Sequence, residues 1–282
     1  MAMDEKGLGK RLQKARQAAG LTQQQLCAKA NLSFSTLTKI ERGAIKSPSI
    51  FTVQAIAAAI GQTLDELVGS PALPVRDLKK TKSGVSFVYF DINGSLVHFF
   101  QQAFTRIAEE LNVSADTVES TYWHFNDEVC RGTMSLDDFN HAMQTRLNAP
   151  GFDWRKYYLD ALEPIEPLQE VLNWASEHYK VGILSNIMPG LISAMIAAGK
   201  IPNIHYDAII DSSQVGTIKP EPQIYDIATK EAAVPPEEIL LIDDTRGNLV
   251  AAERQGWHVL LFDDYQMDDT ITKLRSALEP AE

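Results

Sequence analysis

At 282 residues, 45% of them hydrophobic and 22% charged, the chain is long enough for two folded domains and has the balance of a globular protein. No apolar run approaches the ~18 residues of a membrane span, and the N-terminus lacks the apolar stretch of a secretory signal. The two cysteines, Cys27 and Cys130, fit no metal spacing, so a cytoplasmic protein with reduced thiols and no membrane association is expected.

The formal charge of −11 is unevenly spread. Residues 1–80 hold twelve Lys and Arg against six Asp and Glu, whereas the rest holds 14 against 31. A basic module suited to a polyanion joined to an acidic module with another task is the natural reading.

Residues 7–68 read as several short helices. Thr22 and Ser33 can each cap a helix, beginning at Gln23 and at Phe34. Leu26, Ala30, Leu37 and Ile40 would pack the two together, Asn31-Leu32 leaves only a short turn, and Gly43 suits a left-handed stop. Such a pair is a helix-turn-helix, whose second helix can enter the major groove. Leu21-Thr22-Gln23, Leu26, Ala30, Leu37, Ile40-Glu41, Gly43, Pro48 and the run Thr52–Ile60 closely resemble the lambda repressor/Cro-like, or Xre-like, regulators. The resemblance implies binding to double-stranded DNA at an inverted-repeat operator, as a homodimer. By position, Gln23 would anchor a phosphate, Phe34, Ser35 and Lys39 would face base edges, and Lys46 would meet the backbone beyond. Phe34 is also acceptable as a core aromatic, and Lys39 as a solvated charge. Gln24 and Gln25 look like plain helix surface.

Residues 69–84, GSPALPVRDLKKTKSG, read as a linker. Beyond them the apolar runs Val85–Phe90, Lys180–Leu184, Asp207–Ile210, Ile239–Ile242 and His258–Phe262 alternate with helical stretches. That pattern predicts a parallel sheet covered on both faces. The long stretch between the first two runs carries helix signals only, and predicts a helical insertion over roughly Phe99 to Pro167. The fold expected is an all-α helix-turn-helix domain (1–68) joined to an α/β doubly wound, Rossmann-like domain (85–282).

The chemistry gathers at the carboxyl ends of these runs, where such a sheet places its site. Asp91 ends the first run, in Phe87-Val-Tyr-Phe-Asp91-Ile-Asn93-Gly94-Ser95. Ser185 ends the second, Lys219 precedes a helix, and Asp243-Asp244 end the fourth. A carboxylate nucleophile, a hydroxyl, a lysine and an acidic pair make a coherent phosphate site, with Mg²⁺ and the lysine neutralising charge.

These four segments in this order, with Val215–Tyr225 and Ile242–Asn248, resemble the haloacid dehalogenase-like superfamily, in the group with a helical cap after the first motif. The insertion would be that cap, and its Trp123, His124 and Arg131 could reach a ligand or be cap core and surface. The resemblance implies Asp91 as nucleophile, Ser185 and Lys219 as phosphate ligands, and Asp91, Asp243, Asp244 and the Asn93 carbonyl as the Mg²⁺ site. One position departs from the pattern: family phosphatases carry Asp-x-Asp, whose second Asp handles the proton, and here it is Asn93. Dehalogenases of the family also lack that Asp, though theirs is not Asn. Loss of a general acid–base group costs ~10²–10⁴-fold in rate. The reading therefore leans away from an enzyme, toward a regulator whose impaired, pseudo-phosphatase domain senses a phosphorylated small molecule or makes protein contacts. A working phosphatase on a DNA-binding domain and a purely structural dimerisation platform are the alternatives. Asn93-Gly94 also favours deamidation, which would mimic trace activity.

Overall fold

Three hydroxyl side chains decide where helices begin in the N-terminal region. The computed structural model describes residues 8–45, 48–63, 67 and 76–281, and the chain divides into two units, Met1–Arg76 and Asp77–Glu282. The first contains α1 (Leu8–Ala18), α2 (Gln23–Ala30), α3 (Phe34–Glu41) and α4 (Ile50–Ile60). Thr22 accepts the Gln25 N–H at 3.2 Å while the Gln25 side chain accepts the Thr22 N–H at 2.8 Å, a reciprocal cap that fixes the start of α2. Gln25 is thus half of a cap and more than helix surface. Ser33 accepts the Thr36 N–H at 3.0 Å to start α3, and Ser49 accepts that of Thr52 at 3.2 Å to start α4. Asn31 turns left-handed at φ 51° to end α2, so only Leu32 separates the two caps. Leu26, Leu37, Ile40 and Ile56 from three helices meet in one buried cluster.

In the second unit every expected apolar run forms a strand: β1 (Phe87–Phe90), β2 (Lys180–Ser185), β3 (Ala208–Asp211), β4 (Ile239–Asp243) and β5 (His258–Leu261). All pair in parallel, in the order β3-β2-β1-β4-β5. The period of two splits the central strand between two cores. Val88 and Phe90 face one built with α9 (Glu166–His178) and α14 (Met267–Ala277). Phe87 and Tyr89 face another built with α12 (Pro222–Ala232) and α13 (Arg246–Arg254). Burial on both faces explains why the strands are apolar throughout instead of alternating. Gly182 on β2 lies so close to the Tyr89 ring that a Cβ would sit 2.6 Å from it. The missing side chain lets Tyr89 stack on Trp257 and donate to the Ala228 carbonyl at 2.7 Å.

Beyond β1 the chain leaves the sheet for four helices, α5 (Gln101–Leu111), α6 (Ala115–Cys130), α7 (Leu136–Leu147) and α8 (Trp154–Ala161). Exit and return run side by side: His98 N–H donates to Glu163 O at 2.8 Å and Ile165 N–H to Leu96 O at 3.0 Å. The cap closes at this crossing rather than at Pro167, which already lies in the first turn of α9. Its centre is aromatic, with Phe100 edge-on to Tyr122, Trp154 and Tyr158 at 5.1–5.5 Å. Each such pair adds about 0.5–1.5 kcal/mol beyond burial. The later part of the span read as linker is tied to this unit, since Lys79 N–H donates to His178 O and Lys82 N–H to Glu279 O. No described helix is long and apolar enough to cross a membrane.

Candidate functional site

Strand register assembles the acidic site. Phe90 pairs with Ile242, so the next residues, Asp91 and Asp243, stand side by side at the carboxyl edge, and Asp91 N–H donates to Ile242 O at 3.0 Å. Asp91, Asp243 and Asp244 each place a carboxylate oxygen within 4.8 Å of the others. Lys219 Nζ reaches into the group, 2.9 Å from Asp91 Oδ1 and 2.5 Å from Asp243 Oδ2. Its main chain is held by Asn186, which accepts the Lys219 N–H at 2.7 Å and donates to its carbonyl at 2.8 Å. Asp243 also accepts from the Thr245 N–H at 2.8 Å and from Asn248 Nδ2 at 3.0 and 3.1 Å.

One ammonium against three carboxylates leaves two formal negative charges, and Asp91, Asp243 and Lys219 are all buried. Burial raises the Asp91 carboxyl above its ordinary range, Lys219 opposes that, and Asp243 and Asp244 push it further up. Burial alone would lower the Lys219 ammonium, but Asp243 and Asp91 outweigh it and hold it raised. Burial and Asp243 raise Asp244 as well. Burial and mutual repulsion thus both work against the charged carboxylates, and three of them around one ammonium are a donor set that a divalent cation with oxygen ligands fits. Two further atoms suit a ligand: the hydroxyls of Ser95 and Ser185, both buried, find no hydrogen-bond partner among the described residues.

Asn93 lies beside this group under the cap. Its Oδ1 accepts the hydroxyl of Tyr158 on α8 at 2.7 Å. The packed aromatic cluster fixes the Tyr158 ring, and burial raises its phenol, so the group is a neutral donor. Gly94 must be glycine: its φ is +83° and a Cβ would sit 2.2 Å from Asp244 Oδ2. Of the three cap residues singled out, Arg131 pairs with Glu221 at the head of α12, Trp123 donates to Glu119 at 3.2 Å, and His124 is exposed against Phe125. None contacts Asp91, Lys219 or Asp243 in these pairings. The contributions of Asn186, Asn248 and Tyr158 went unrecognised in the sequence. The two asparagines stand inside the motif segments, whereas nothing local marks Tyr158.

In the first unit, α3 presents Phe34, Ser35 and Lys39 outward, with Phe34 51% exposed, which removes the core alternative for that ring. The side chain of Gln23 turns inward in part, donating to Glu41 Oε2 at 2.7 Å. Glu41 also accepts from Nε and Nη2 of the buried Arg16 guanidinium, at 2.7 and 3.1 Å, while Nη1 donates to the Leu21 carbonyl at 2.7 Å. Lys46 lies outside the described residues.

Residues 12–67 match the helix-turn-helix family model and residues 88–262 the model of haloacid dehalogenase-like hydrolases. A segment of 66 residues, 23% of this chain, is 42% identical to the immunity repressor protein of Bacillus phage phi105 and covers 45% of it. Another of 92 residues, 33% of this chain, is 35% identical to bifunctional epoxide hydrolase 2 of Rattus norvegicus, and spans only 15% of that protein. The solved structure of a HAD family enzyme from Bacteroides thetaiotaomicron, in complex with magnesium and inorganic phosphate, matches with a TM-score of 0.52 at 19% identity. That match covers 65% of this chain and 98% of the other, and establishes the fold.

Proposed function

This chain belongs to the haloacid dehalogenase-like hydrolase family and carries a helix-turn-helix DNA-binding domain, and from that premise we propose that it is a sequence-specific transcriptional regulator whose hydrolase-like domain binds a phosphorylated small molecule without turning it over efficiently. The carrying observation is Asn93, an amide at the proton-handling position, whose oxygen is already engaged by the neutral Tyr158 hydroxyl at 2.7 Å. An amide is neither acid nor base near neutral pH, so it cannot pass a proton to a leaving oxygen or take one from a water.

The ligand-holding side supports binding. Lys219, Ser95 and Ser185 would face phosphate oxygens, and Asp91, Asp243, Asp244 and the Asn93 carbonyl would hold Mg²⁺. When bound, the metal supplies charge neutralisation to phosphate and carboxylates. The magnesium and phosphate of the Bacteroides enzyme favour this pair of ligands. On the DNA side, Phe34, Ser35 and Lys39 would read base edges, while Gln23 and Lys46 would meet backbone. A homodimer would span half-sites about 10–10.5 base pairs apart or a multiple of that.

A second reading, a working Mg²⁺-dependent phosphatase tethered to DNA, is favoured by the complete Asp91, Lys219 and Asp243-Asp244 set. One variant separates the two. Asn93→Asp should raise phosphate-ester turnover ~10²-fold, the value of one general acid–base group, and Asp91→Asn should remove the gain. Brisk wild-type turnover unchanged by Asn93→Asp would establish the phosphatase and end the sensor reading. Footprinting should find discrete protected sites, lost on removal of residues 1–70 and weakened steeply by salt. Operator affinity that ignores both Mg²⁺ and phosphate esters would favour a structural platform instead.

A further inference from the structure

Two loops hold Lys219, and the cap turn between α6 and α7 rests on both. Gly132 in that turn approaches α11 (Ser212–Val215) so closely that a Cβ would sit 2.1 Å from the Ser213 carbonyl oxygen. The neighbouring Ser212 hydroxyl accepts the Ile187 N–H at 2.9 Å, and Ile187 follows Asn186, which grips the Lys219 main chain. Arg131, next to Gly132, pairs through Nη1 with Oε1 of Glu221. The other oxygen of that carboxylate accepts the Thr217 hydroxyl at 2.7 Å and the Ile218 N–H at 3.4 Å, so it folds back across the loop that carries Lys219.

The orientation of Glu221 is not explained by its helix. It stands just before α12 and makes no hydrogen bond to the free N–H groups of the first turn, a task for which a shorter Ser, Asp or Asn is suited. The helix dipole favours a negative charge at this end but does not aim it. The longer side chain spans instead from the Lys219 loop to the cap, one oxygen on each. Resting on the proposed phosphate-binding reading, we infer that Arg131 is a positioning residue for phosphate. It acts through Glu221 to hold residues 217–221, and with them the Lys219 ammonium, in the place where phosphate is received. The docked cap and a bound phosphate then favour each other.

The test uses the full chain in calorimetry, titrated with Mg²⁺ alone and then with inorganic phosphate in saturating Mg²⁺. Arg131→Ala should weaken phosphate by up to about fivefold, the value of a partly exposed ion pair. Glu221→Ala should weaken it by about tenfold, because the hydrogen bonds to Thr217 and Ile218 go with the pair. The double variant should bind phosphate no worse than Glu221→Ala, since Arg131 acts only through that carboxylate. Mg²⁺ alone should bind all three as tightly as wild type, for Asp91, Asp243 and Asp244 are untouched. The two side chains are 32% and 33% exposed, and the Mg²⁺ titration reports that each variant is folded. Phosphate affinity unchanged in Arg131→Ala, losses that add in the double variant, or Mg²⁺ lost alongside phosphate would each overturn the positioning role, while phosphate bound by wild type keeps the broader reading. Wild type that binds no phosphate overturns both.

Discussion

Two buried charge clusters, one in each unit, obey different rules. In the first unit Arg16 and Glu41 match one to one through Nε and Nη2, with Gln23 taking a remaining carboxylate site. In the second, three carboxylates surround one ammonium, and the hydroxyls of Ser95 and Ser185 find no partner among the described residues. Burial alone therefore does not mark a functional site. Unbalanced buried charge is the better mark, because a fold built only for stability would have paired it.

The strongest way to break this comparison is Glu41→Ala. It strands a buried guanidinium, and removal of one partner of a buried pair costs about 3–5 kcal/mol. Denaturant unfolding of the full chain should show the first unit lost early and DNA binding with it, while the second unit's transition stays put. A wild-type midpoint for the first unit would remove the structural role assigned to the pair. Replacing both residues together by apolar side chains should cost far less.

Tyr158→Phe probes a one-to-one pairing inside the second unit. The Asn93 oxygen loses its donor, and stability should fall by about 1–2 kcal/mol, the cost of an unmade partly buried hydrogen bond. Mg²⁺ affinity measured by calorimetry should hold, since the metal-facing carboxylates are untouched; a large loss would tie the cap to the metal site.

Asp91→Asn is expected to have the smallest effect and the opposite sign. It removes one of three crowded charges at unchanged size, so without Mg²⁺ the second unit should be as stable as wild type or up to about 1 kcal/mol more so. The stabilisation by Mg²⁺ expected of wild type should vanish at the same time. Clear destabilisation without metal would show the cluster to be a structural ion network like that of Arg16 and Glu41.

Local signals carried much of this architecture. Thr22, Ser33 and Asn31 punctuate the helix-turn-helix because short polar side chains satisfy free helix ends, a property of a few adjacent residues. The Thr22-x-x-Gln25 spacing was a readable capping box that passed as helix surface. The five strands were legible because a sheet covered on both faces demands unbroken apolar runs. The acids at their ends follow from parallel pairing, and the change from Asp to Asn at position 93 is visible in the letters themselves.

What the sequence by itself determined was therefore what acts over one turn or one strand: caps, runs, the identity of the acids, and the amide at position 93. Only the tertiary structure decided which distant groups meet. Tyr158 lies 65 positions from Asn93 and reaches it because cap aromatics fix its ring. Asn186 grips Lys219 across 33 positions, and Glu41 draws in Arg16 and Gln23 from two other helices. The physical reason is range: capping and periodicity act between near neighbours, whereas charge balance, burial and cavity shape depend on every element packed around a site.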